Sequence, residues 1–126
     1  MLNRKDVMQK RKTIFLDIDG TILGHAGGVS KVLTGETQQE VLPGSLEKLD
    51  EWESKGYSII LTTARRESMR AFTVKQLDDA GIFYDQLVMG IGNGERIVIN
   101  DQKPDGSSSA RAFVVDRDRG LTDLEV

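Results

Sequence analysis

In the string TIFLDIDGTIL at residues 13–23, Asp17 and Asp19 stand two positions apart where an apolar, β-branched run gives way to Asp-Gly. Such a run predicts a short strand buried on both faces, and Asp19-Gly20 predicts the turn that ends it. Side chains at i and i+2 of a strand point the same way, so the two carboxylates converge at the strand's carboxyl end. Converging carboxylates repel each other unless a cation or a proton lies between them. The pair therefore suits a metal, an acid–base couple or both. Two later polar groups end apolar runs in the same manner: Thr62-Thr63-Ala64-Arg65 after YSIIL, and Asn100-Asp101 at the end of RIVIND.

The elements that must position these groups follow from the pattern between them. Residues 22–42 carry clustered glycines and short β-like pieces at 29–33 and 39–42, which predict a small hairpin flap. Pro43-Gly44-Ser45 reads as a helix start with Ser45 as cap and Glu47 in the first turn. Leu46, Leu49 and Trp52 form its apolar stripe, and Gly56 stops it. A strand is predicted at 57–61. A helix over 66–80 follows, with Met69, Phe72, Leu77 and Ala80 toward the sheet and Gly81 as its stop. Further strands are predicted at 86–89, 96–100 and 112–115, with a polar loop at 103–109 and a charged tail at 116–126. The glycines of GIGNG at 90–94 match neither dinucleotide nor P-loop spacing and read as a turn. This alternation implies one domain, residues 1–126, built on an open, mainly parallel α/β sheet with flanking helices and right-handed crossovers. Ligands gather at the carboxyl ends of strands in such sheets, where all three polar groups fall.

Composition narrows the function. The chain has 126 residues, 38% hydrophobic and 29% charged, which fits a folded globular domain. With no cysteine, thiolate nucleophiles and Cys-based zinc sites are excluded, and one histidine, His25, excludes a His-rich metal site. No apolar run approaches the ~20 residues of a membrane span, and the N-terminus lacks a signal-peptide core, so a cytoplasmic protein with no membrane partner is expected. The net charge is −3, yet residues 1–12 form a basic lead-in with Arg4, Lys5, Lys10, Arg11 and Lys12. A nucleic-acid partner is allowed by that segment but is not favoured for a chain acidic overall.

The motif hydrophobic-hydrophobic-D-x-D-G-T resembles the first motif of the haloacid-dehalogenase (HAD) superfamily, whose phosphatases open with DxDGT. The resemblance covers about residues 13–116 and implies a Rossmann-like HAD fold with a short β-flap and no cap domain, similar in layout to octulosonate-phosphate phosphatases and polynucleotide 3′-phosphatase domains. It implies Mg²⁺-dependent phosphomonoester hydrolysis, with Asp17 as nucleophile forming an aspartyl-phosphate. Asp19 would be the acid and base. Asp17, Asp19 through its backbone carbonyl, and Asp101 would hold Mg²⁺, with Asn100 as a neutral partner. Thr62 or Thr63, followed by Ala64 and Arg65, would hold the phosphate. The family's third-motif lysine has no counterpart at Gly90-Ile91-Gly92, so Lys103 is the first candidate for it, followed by Lys75, with Arg65 contributing charge. The expected substrate is a small sugar phosphate or related metabolite, the alternatives being a nucleotide or polynucleotide end, or a binding module with little turnover. Without a cap, either a large substrate or a neighbouring subunit of a homo-oligomer would cover the open site.

Overall fold

The computed structural model describes residues 11–126, so all but the end of the basic lead-in lies outside the described residues. The elements run β1 (Thr13–Asp17), α1 (Val29–Leu33), α2 (Ser45–Ser54), β2 (Ser58–Thr62), a 3₁₀ turn (Glu67–Met69), α3 (Arg70–Asp79) and β3 (Gln86–Val88). The three strands form one parallel sheet in the order β1-β2-β3, with Asp17 opposite Thr62 and Thr62 opposite Val88. The expected open parallel α/β sheet with flanking helices is thus present.

Two successive right-handed crossovers in the same direction put their helices on the same face of a sheet. Accordingly Leu16, Ile59 and Leu61 of the strands pack in one cluster with Leu49 and Trp52 of α2 and Leu77 of α3. The alternate set, Phe15, Asp17, Ile60, Thr62 and Val88, projects from the opposite face. That face is open: Phe15 is 64% and Val88 40% exposed. Only the half of the sheet under the helices is buried, contrary to the strand covered on both sides that its composition predicts.

Five local expectations are corrected. Residues 29–33 form one helical turn, not a hairpin strand, and bury only Val32; the flap closes instead through an isolated antiparallel bridge between Leu23 and Val41. Gly44 is the cap of α2, while Ser45 is its first helical residue and donates its hydroxyl to the Ile22 carbonyl. The buried stripe of α2 is therefore Ser45, Lys48, Leu49 and Trp52, at i, i+3, i+4 and i+7, which turns Leu46 outward. The predicted second helix splits into a 3₁₀ turn and α3, whose buried residues are Thr73 and Leu77. Residues 96–100 and 112–115 are not strands: Ile99 is 89% and Val114 100% exposed, and neither segment pairs with the sheet among the described residues. A β-branched run becomes a strand only when a neighbouring strand supplies its ladder.

The charged tail is a strap. Leu121 is buried in the core, its N–H donates to the Pro43 carbonyl at 2.8 Å, and Asp118 bonds to the loop after β1 at Gly20 and His25. The approach is so close that a Cβ on Gly120, whose φ is +82°, would collide with the Pro43 oxygen. Lys48 of α2 pairs with Glu125 at 3.2 Å.

Candidate active site

Asp17 is the last residue of β1 and stands exposed at its carboxyl end on the open face. The loop that follows folds back on itself: the N–H groups of Thr21, Ile22 and Leu23 all reach the Ile18 carbonyl at 3.0–3.1 Å. Gly20 allows this because it adopts φ +87°, a conformation that costs residues with a Cβ. The fold-back brings the Thr21 hydroxyl to Asp17 Oδ2 at 3.1 Å. Partial desolvation pushes the Asp17 carboxyl above its ordinary pKa, and the negative charge of Asp19 adds a smaller push; the Thr21 hydrogen bond and the Arg96 charge oppose them.

Asp19 is held from the other side. Arg65 grips its carboxylate with two parallel bonds, Nε to Oδ2 at 3.0 Å and Nη2 to Oδ1 at 2.8 Å. The Arg65 side chain is 1% exposed and that of Asp19 17%. A guanidinium has five N–H donors, and the remaining three go to Thr73 Oγ1 at 3.1 Å, Gln76 Oε1 at 2.8 Å and Gln39 Oε1 at 2.8 Å. Every donor of Arg65 is therefore engaged within the protein. Its guanidinium serves Asp19, where the sequence suggested phosphate.

The two threonines occupy different environments. Thr62 ends β2 as the register partner of Asp17, so their side chains share the open face. Thr63 is buried, and its Oγ1 accepts the Arg65 backbone N–H at 3.1 Å. Its own N–H donates to the Val88 carbonyl at 3.0 Å, which fastens the strand end to β3. Among the described residues the Ala64 N–H has no hydrogen-bond partner.

The remaining expected site residues lie apart. Asn100 and Asp101 are exposed in the irregular stretch beyond β3, and among the described residues no three acidic or histidine side chains gather into a group able to hold a metal. Asp17 and Asp19 are thus brought together, and Asp101 is not brought to them. Lys103 lies in a tight turn closed by its own backbone bonds with Gly106 and Ser107, and its charge acts on Asp105. Lys75 pairs with Asp79 at 2.8 Å on the outer surface of α3. Arg96, whose charge does act on Asp17, is absent from the sequence expectations because it opens the strand predicted at 96–100. No periodicity in the sequence marks it. Gln39, 26 residues before Arg65, was equally hidden within the flap.

A parallel α/β sheet with an exposed aspartate at the carboxyl end of its first strand, and a second aspartate locked beside it, defines the HAD class of phosphatase-like folds. The comparisons place the chain within it. Residues 1–111 match the family described as HAD superfamily, subfamily IIIB (acid phosphatase), and the chain belongs to that family. A crystal structure of a structural-genomics target from Vibrio cholerae shares the fold, with a TM-score of 0.50 and 20% identity over 69% of this chain and 79% of that one. No curated protein sequence matches. Among the described residues, no helix is long and apolar enough to cross a membrane.

Proposed function

We propose that this chain hydrolyses a small phosphomonoester, such as a sugar phosphate, through an aspartyl-phosphate on Asp17. The observation that carries the reading is the asymmetry of the two aspartates: Asp17 is exposed and bonded only lightly, whereas Asp19 is clamped by a buried arginine. An accessible carboxylate at a strand end is fit to attack phosphorus in line, and an oriented neighbour is fit to move protons. Asp17 attacks and the phosphorus–oxygen bond to the leaving group breaks. Asp19, entering the step in its protonated form, gives that oxygen its proton, then takes one from the water that releases phosphate.

The surrounding residues hold the phosphoryl group. Thr62, on the face of Asp17, offers its hydroxyl, and the Ala64 N–H adds a backbone donor. Thr63 is the other candidate, but it is buried and its Oγ1 receives the Arg65 N–H. Arg96 takes the part of the missing third-motif lysine, because its charge reaches Asp17 while that of Lys103 acts on Asp105.

Mg²⁺ prefers oxygen donors and needs only one or two carboxylates, keeping water on its other positions. The Asp17 carboxylate and the Asp19 carbonyl fit that demand, with water on the remaining positions. Bound there, the ion would screen Asp17 from the phosphate.

The test is release of phosphate from an aryl phosphate and from a panel of sugar phosphates and nucleotides, with and without Mg²⁺, for wild type and Asp17→Asn. Release that requires Mg²⁺ and vanishes in the variant is expected. Equal release from both proteins removes Asp17 as nucleophile, and silence across the panel removes the enzymatic reading.

A further inference from the structure

Gln39 joins the flap to the site through all four of its hydrogen-bonding positions. Its Nε2 donates to Asp19 Oδ1 at 2.5 Å and to the Gly24 carbonyl at 2.9 Å. Its Oε1 accepts from Arg65 Nη2 and from Gln76 Nε2, both at 2.8 Å. A flipped amide would set its oxygen against a carboxylate and a carbonyl, and its NH₂ against a guanidinium, so one orientation alone satisfies the network. Gln39 therefore ties four parts of the chain together: the flap backbone, the loop after β1, Arg65 beyond the end of β2, and α3.

The consequence falls on Asp19. Its Oδ1 receives two donors, from Arg65 and Gln39, while Oδ2 receives only Arg65 Nε. An oxygen that already accepts two N–H bonds is a poor place for a proton. The free lone pair, and with it the transferable proton, belongs to Oδ2. We infer that Gln39 is a positioning residue that closes Oδ1 and directs proton transfer to the leaving group through Asp19 Oδ2. This rests on the hydrolytic reading, in which a bond forms from an Asp17 oxygen to phosphorus, the phosphorus–oxygen bond to the leaving group breaks, and the electron pair on that oxygen takes the Oδ2 proton.

Proton donation matters most where the leaving oxygen is basic. The ratio of kcat on glycerol 3-phosphate, a poor leaving group, to kcat on 4-nitrophenyl phosphate, a good one, therefore reads the alignment of Asp19. General acids contribute roughly a hundredfold or more, so Asp19→Asn should lower this ratio about a hundredfold. Gln39→Leu should lower it about tenfold, since the acid remains but its aim is lost. Gln76→Leu, which frees the far side of the Gln39 amide and one Arg65 donor but removes no bond to Asp19 itself, should lower it less and keeps the test open if Gln39→Leu does not fold. Thermal melting verifies that each variant is folded. A ratio within twofold of wild type in both glutamine variants, while Asp19→Asn lowers it, overturns the inference and leaves the hydrolytic reading standing. An Asp19→Asn variant that slows both esters equally, or a wild type that hydrolyses neither, overturns the assignment of Asp19 and this inference with it.

Discussion

Replacing Arg65 by Met removes five donors from a buried position while keeping most of the side chain's volume. Two of those donors serve the Asp19 carboxylate, and the others serve Thr73, Gln76 and Gln39. The neutral acceptors can turn toward one another or toward solvent, but the carboxylate cannot lose its charge without taking a proton. Removing one partner of a buried ion pair costs about 3–5 kcal/mol. Because Asp19 keeps some contact with water, its side chain being 17% exposed, the cost should fall near the lower end, about 3 kcal/mol. For a chain of this size that corresponds to a fall in Tm of about 10–15 °C. Urea unfolding of wild type, Arg65→Met, Asp19→Asn and the double variant gives the energies and, through the cycle, a coupling of about 2 kcal/mol or more. Arg65→Lys should recover little, because an ammonium cannot span both carboxylate oxygens and the three other acceptors. High salt should leave the difference nearly intact, as screening scarcely reaches a buried pair. A cost below about 1 kcal/mol, or a coupling near zero, would show that the clamp contributes nothing to the fold and refute the accounting.

Other outcomes follow from the same geometry. Thr62→Ala should raise KM for a phosphate ester with little loss of stability, whereas Thr63→Ala, losing a buried hydroxyl, should lower stability by about 1–2 kcal/mol; steady-state kinetics and melting curves separate the two. Leu121→Ala should cost about 2–4 kcal/mol as a buried residue of the strap, against less than about 1 kcal/mol for Glu125→Ala at its exposed ion pair, both read by urea unfolding. Asp17 carries a folded-state pKa raised above its unfolded value, so its charge costs stability above the folded value and that cost is relieved as the pH falls through it. Metal-free Asp17→Asn should therefore melt higher than wild type at neutral pH, with the gap closing on acidification; an unchanged gap across the range would count against this.

The strands and the first aspartates were legible in the sequence because burial and turn chemistry are local. Residues 13–17 and 58–62 carry their own apolar patterns, and Asp19-Gly20 its own turn. What could not be read depended on partners distant in the chain. Residues 96–100 are as rich in β-branched residues as β2, yet the ladder that would make them a strand is absent among the described residues. Residues 29–33 have strand-like composition, but a single buried residue, Val32, is as well served by one helical turn. Arg65 was visible beside the threonines, but its hold on Asp19 spans 46 residues of sequence, a pairing that no spacing encodes. The tail looked like solvated charge because its one large buried side chain, Leu121, sits among polar neighbours.

The strap also sets an order of events in making the protein. The loop that aims Asp17 is synthesised early, yet the groups that fasten it, Asp118 to His25 and to Gly20, lie more than ninety residues later. Closing so long a loop costs entropy that only the finished contacts repay. During synthesis β1, α2 and β2 can assemble from neighbouring contacts, while the loop that bears Asp19 and aims Asp17 waits for residues 118–121 to leave the ribosome. The nascent chain thus acquires its sheet before its reactive loop is secured, and a ribosome stalled short of the strap carries a scaffold with that loop still unfastened.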